Sequence, residues 1–170
     1  MTSIVQTVNE ERREYEGGAS RPTRAYFATL LTYGGCLAAL AGLTRLRGRT
    51  LPDSLSSRDL FLISLSTHKL SRTLAKDPVA SPLRAPFTRF KGASGPAELH
   101  EEVRGTGARH AVGELLTCPF CLAQWVATAH VAGLIFAPRA TRLAAGTMTA
   151  VAFSDWLQLA YAWLQQRAED

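Results

Sequence analysis

Three long stretches of this chain are almost free of charge, and the segment between the first and second is basic. Residues 25–43, 113–137 and 143–164 hold very few ionisable side chains, whereas 44–112 holds twelve Lys/Arg against six Asp/Glu. A helix rises about 1.5 Å per residue, so the run from Ala25 to Leu43 reaches roughly 29 Å, close to the thickness of a bilayer's hydrocarbon core. This segregation predicts an all-α fold: a small helical membrane bundle of about three transmembrane helices plus one amphipathic interfacial helix. The expected order is a polar tail over 1–24, a first transmembrane helix over 25–43, and a basic loop over 44–112 that contains an amphipathic helix over 58–76. A transmembrane hairpin over 113–164 and a short tail over 165–170 follow.

Composition supports that order. Charged residues make up 19% of the chain, below the roughly 25% of soluble domains. The net charge of +5 comes with no recognised nucleic-acid module, which argues against DNA or RNA as the partner. Basic segments between apolar blocks instead set membrane orientation, and the count places the long loop in the cytoplasm of a multi-pass protein of the cell membrane. The expected partners are the lipid bilayer, anionic head groups met by Arg84, Arg89 and Lys91 beside Phe87 and Phe90, and an unidentified protein or a second copy of the chain. Met1–Ser20 is polar and lacks an apolar centre, so the first apolar run is expected to act as an uncleaved anchor.

Local signals add detail. Gly34, Ala38 and Gly42, and again Gly146, Ala150 and Ser154, recur at four-residue spacing and predict close helix contacts. Residues 58–76 place Leu60, Ile63, Thr67, Leu70 and Leu74 on one face, with Ser57 or Asp59 as the cap. With His68, Lys69 and Arg72 inside it, this helix is expected along the interface or under the bundle. Pro78, Pro82 and Pro86 break the chain after it, and 91–97 reads as an exposed loop.

The chemistry concentrates at Thr117-Cys118-Pro119-Phe120-Cys121. Proline suits the first position of a helix, so Cys118 is expected at a helix start, with Cys121 on the same face. Four readings compete there. A glutaredoxin-like site matches the tetrapeptide, but the apolar run after it excludes that fold. A quinone-linked thiol relay needs a second cysteine pair, and Cys36 stands alone in the first apolar run. A zinc site needs two more ligands, with His68, His100 and His110 as candidates but without diagnostic spacing. The fourth reading is a structural thiol pair at a helix contact. Asp155, inside an apolar run, is expected to face the bundle interior, either in a proton relay with Gln158 or as a hydrogen-bonded lock. His130 is expected as a packed histidine or as a partner for Asp155.

An ordered set of motifs resembles a known family. Thr67-His68-Lys69-Leu70-Ser71-Arg72, Ser81-Pro82-Leu83-Arg84-Ala85-Pro86, Arg104-Gly105-Thr106-Gly107 and Gly113-Glu114-Leu115-Leu116-Thr117-Cys118-Pro119-Phe120-Cys121 together resemble the bacterial family catalogued as domain of unknown function 1360, over roughly 58–160. The resemblance implies a small membrane protein, in some members linked with sporulation, and brings no reaction, substrate or metal. Residues 1–57 lie outside it and are expected to be an addition. It suggests that the two main blocks dock, with Arg72 or Arg84 near the thiols and Glu114.

Overall fold

The computed structural model describes residues 4–18 and 21–169. The end of the polar tail at Ala19-Ser20 lies outside them. Most of the rest is helical: α1 (Ile4–Glu16), α2 (Thr23–Leu46), α3 (Ser57–Lys76), α4 (Ser81–Arg84), α5 (Gly107–Thr117), α6 (Pro119–Phe136) and α7 (Pro138–Glu169). A two-stranded sheet breaks the all-α expectation. Strand β1 (Thr88–Gly95) pairs antiparallel with β2 (Glu98–Val103), in the register Thr88 to Val103, Phe90 to Glu101 and Gly95 to Glu98. The segment read as an exposed loop is therefore the tip of a hairpin. Irregularities between Phe90 and Gly92 and between Ala93 and Gly95 break strict alternation, which hides the strand from a periodicity reading. Ala97 takes the left-handed φ of 57° that closes the turn after Pro96.

Helix α3 occupies the centre. It packs against both α6 and α7, so it is not the peripheral helix that its charges suggest. Its cap is Ser56, one residue before the expected pair: the Ser56 hydroxyl accepts from Asp59 N–H at 3.1 Å. Partners along α3 and α7 rise together, from Asp59 with Arg142 through the Leu62 carbonyl with Thr149 to Lys69 with Asp155. The two helices thus run in the same direction, while α6 runs back between them. Residues 44–56 and 77–117 consequently lie at opposite ends of this bundle, so the basic loop does not sit together on one side.

Among the described residues, two helices, α2 and α6, are long and apolar enough to cross a membrane. The third expected span falls within α7, whose Asp155 and Gln158 interrupt its apolar character. Few residues of α2 are buried: Phe27, Leu30 and Leu31 are each 60% exposed or more. The anticipated small-residue stripes are not where helices approach, since a Cβ at Gly34, Gly42 or Gly146 would meet nothing within 4 Å. The close approaches fall elsewhere. A Cβ at Gly133 would lie 2.5 Å from Thr141 Oγ1, and one at Gly113 would meet Val103 at 2.5 Å and the Phe87 carbonyl at 3.1 Å.

Where α3 ends, the chain reverses around Arg84, which is fully buried. Its guanidinium donates to the carbonyls of Leu74 at 2.8 Å and Asp77 at 3.1 Å and pairs with the Glu101 carboxylate on β2. Thr88 Oγ1 donates to the Arg84 carbonyl at 3.0 Å. The prolines on either side of Arg84 fix the tight path that brings this side chain inward. At the opposite end of α3, Arg142 makes two 2.8 Å hydrogen bonds to Asp59. These bonds hold the Asp59 carboxyl at about 2 against an ordinary 3.8, with burial opposing and Ser56 assisting.

Two outcomes follow from these ion pairs. Arg84→Ala leaves Glu101 and two carbonyls uncompensated, and is expected to cost about 3–5 kcal/mol in thermal or denaturant unfolding. Arg89→Ala, on the outer face of the hairpin, is expected to change stability by no more than about 0.5 kcal/mol. Equal effects of the two substitutions would refute the role of Arg84. Because the Asp59 carboxyl is depressed in the folded chain, its stabilising contribution is complete above pH 4 and is lost as pH falls toward 2. Asp59→Asn should remove that slope from acid unfolding curves, and an unchanged slope would contradict the assignment.

Candidate functional site

Two groups of the residues singled out by the sequence have defined settings, the thiols at the mouth of α6 and the polar residues where α3 packs on α6 and α7. At the mouth, Pro119 disfavours helical geometry for the residue before it, and Cys118 takes φ −102° and ψ 105°. Helix α5 therefore ends at Thr117, and α6 starts one residue later. Cys118 is the cap: its Sγ accepts from Cys121 N–H at 3.2 Å. The two Sγ atoms lie 2.7 Å apart, both thiols being free. Cys121 and Phe120 face outward, while Cys118 is half-buried. This arrangement suits thiol–disulfide exchange, or two of the four ligands of a soft metal.

The other proposed members of the site are engaged elsewhere. Arg72 donates to Glu98 at 3.0 Å, Arg84 holds Glu101, and Glu114 accepts from Tyr26 and, at 3.3 Å, from Arg21. The two motif blocks do dock, since α3 packs on α5 and α6, but the guanidinium groups face the hairpin carboxylates and not the thiols. The charged strand β2 supplies those carboxylates. Of the histidines proposed as metal ligands, His68 lies beside Trp156 with ring centres 6.0 Å apart, and His110 lies 3.4 Å from Glu114. His100 is exposed on β2. Among the described residues, no group of three or more His, Cys, Asp or Glu side chains converges to hold a metal.

Polar contacts cross the packed seam. Buried His130 places Nε2 2.8 Å from the Ser66 hydroxyl and Nδ1 2.8 Å from the Val126 carbonyl. Asp155 pairs with Lys69 at 2.6 Å and not with His130, tying α7 to α3 as an ion pair. Gln158, the proposed relay partner, donates to Ser154 at 3.3 Å. On the other flank, Tyr33 Oη lies 2.7 Å from Thr128 Oγ1 and its ring meets Trp125 edge-on, joining α2 to α6. The seam widens toward the hairpin into a cavity of about 700 Å³, walled by His68, Lys69, Arg72 and Lys76 of α3, the 94–98 turn, and Trp156 and Leu159 of α7. The Thr67–Arg72 motif thus supplies a wall of this cavity. Sequence spacing puts these α3 residues near one another but gives no sign of the wall opposite.

Comparison with known proteins agrees with the motif pattern. The family described as Protein of unknown function (DUF1360) matches residues 62–161, more than half of the 170 residues. A similar curated relative is Sporulation protein YjcA of Bacillus subtilis (strain 168), 38% identical over 71 residues, which cover 40% of this chain and 60% of the relative. The chain thus spans less than two thirds of that relative's length. No solved structure matches. The chain belongs to the DUF1360 family.

Proposed function

We propose that this member of the DUF1360 family is an integral protein of a bacterial membrane that acts by interaction rather than catalysis, in a setting linked to sporulation. The observation that carries the membrane reading is the outward apolar surface of α2. A helix of 24 residues with Phe27, Leu30 and Leu31 turned away from the bundle has the composition of a core helix without a core around it. Lipid satisfies such a surface, whereas water leaves a large apolar patch exposed. The sporulation setting comes from the name of the Bacillus relative.

In this reading α2 and α6 cross the bilayer, and the middle parts of α3 and α7 lie beside α6 at the same depth. Asp59 and Arg142 mark one edge. That end carries Arg45, Arg47, Arg49, Arg58, Arg139 and Arg142, while the other gathers the more numerous basic residues of α1, of 21–24, of the hairpin and of 104–109. The larger number of Lys and Arg at the hairpin end supports a cytoplasmic position for it. The ion pair of Lys69 with Asp155 neutralises both charges between α3 and α7, as intramembrane charges require.

Cell fractionation tests this. The chain should stay with membranes after alkaline carbonate washing. In a Cys36→Ala background, a membrane-impermeant maleimide should label Cys121 only after cells are opened. A chain that is monodisperse without detergent and fractionates with the cytosol would overturn the membrane reading. Labelling in intact cells would reverse the orientation.

The 2.7 Å approach of the thiols favours a second reading, in which the pair is a reversible redox element. With oxidised glutathione, each thiol loses a hydrogen, one protein disulfide forms, and two molecules of reduced glutathione leave. Intact-mass measurement should show the loss of two hydrogens, replaced by a glutathione adduct in Cys118→Ser. Absence of that mass change under excess oxidant removes the redox reading and leaves Cys118 as a helix cap.

A further inference from the structure

The number of donors at the mouth of α6 decides which metal the two thiols suit. Cys118 Sγ and Cys121 Sγ lie 2.7 Å apart, and both are free. The other candidate donors are held away from them. Glu114 accepts from Tyr26 and lies 3.3 Å from Arg21, and His110 lies 3.4 Å from Glu114. His68 stands beside Trp156, and buried His130 lies between Ser66 and the Val126 carbonyl. The thioether of Met148 belongs to the half of α7 where Thr149 meets the Leu62 carbonyl, toward the start of α3 and away from the thiols. Among the described residues no third donor joins the pair.

Thiolates select monovalent copper, zinc and iron–sulfur clusters among the common metal centres. A structural zinc ion takes four protein ligands, and the iron–sulfur clusters likewise take four. Cu(I) differs, because two thiolates in a linear arrangement satisfy it. A pair of cysteines is half of a zinc site but a whole Cu(I) site.

The backbone prepares the sulfurs for the charge that such binding needs. Cys118 Sγ accepts from Cys121 N–H at 3.2 Å, at the start of an 18-residue helix. The dipole and the unpaired N–H groups of a helix start favour a thiolate there. Cys121 is exposed and its neighbour Phe120 is 87% exposed, so an incoming ion reaches the thiols without opening the bundle. Rotation of the outward Cys121 side chain moves its sulfur to the far side of a bound ion.

We propose that Cys118 and Cys121 form a two-coordinate site for Cu(I). Loading breaks two S–H bonds and makes two S–Cu bonds. One Cu(I) and two thiols give a bis-thiolate complex of charge −1 and two protons, with no change of oxidation state. In the cell the site needs reduced thiols, a condition that rests on the cytoplasmic orientation proposed above; the binding chemistry itself does not depend on the membrane.

The experiment uses the purified full chain in detergent, reduced, freed of reductant and kept without oxygen. Cu(I) is titrated in against bicinchoninate, a chromophoric chelator of that ion. The chain should take one Cu(I) per molecule from the chelator and release two protons per ion into weakly buffered solution. X-ray absorption should show two sulfur neighbours. Cys118→Ser keeps a capping hydroxyl and Cys121→Ser changes an exposed position, so each should lose the site while keeping the circular dichroism of the unaltered chain. Cys36→Ser should bind as the unaltered chain does. Copper left with the chelator, or held equally by Cys118→Ser and Cys121→Ser, would overturn the site. One ion per two chains with four sulfur neighbours would overturn the two-coordinate assignment in favour of a ligand set shared between copies. None of these outcomes depends on the carbonate wash, so failure here is distinct from failure of the membrane reading.

Discussion

A single buried guanidinium organises the end of the molecule where most of the chemistry lies. Arg84 joins three elements that are separate in sequence: the last carbonyls of α3, the reversal after it, and the Glu101 carboxylate of β2. Taking both charges out of water costs several kcal/mol each, so the pair survives only because its geometry is filled. Its value is therefore positional. It ties the end of α3 to the reversal and to the hairpin.

The remaining polar ties do similar work along the bundle. Asp59 with Arg142, the Leu62 carbonyl with Thr149, Ser66 with His130 and Lys69 with Asp155 connect α3 to its neighbours at four levels. Hydrocarbon packing alone permits helices to slide and rotate, whereas each of these contacts has one register. In a membrane, where lipid offers no hydrophobic force between helices, such contacts together with close packing define the arrangement. The short approach of Gly133 to Thr141 adds the close packing at the turn between α6 and α7.

Much of this was readable from the residues, and the failures have physical causes. The apolar runs, the helix over 57–76, the break before Pro119 and the family motifs all depend on local preference or spacing, which sequence displays directly. The central place of α3 was hidden because Asp59, Ser66 and Lys69 look like solvent-facing groups until their partners on α6 and α7 are known. The hairpin was hidden by its two irregularities and by a Gly-Pro-Ala turn that resembles a loop. Arg84 was singled out by its motif but placed near the wrong carboxylate, since nothing local announces that Glu101 folds back onto it. The glycine stripes misled because four-residue spacing says which residues share a face, not whether another helix lies against it.

The extended residue at Cys118 has a mechanical consequence. It interrupts the hydrogen-bond ladder between α5 and α6, so the two are separate rods joined at a one-residue elbow rather than a continuous 30-residue shaft. Bending strain in one is not handed to the other. The shorter rod can settle at the tilt its contacts with α2 and the hairpin demand while the longer one stays upright among α3 and α7.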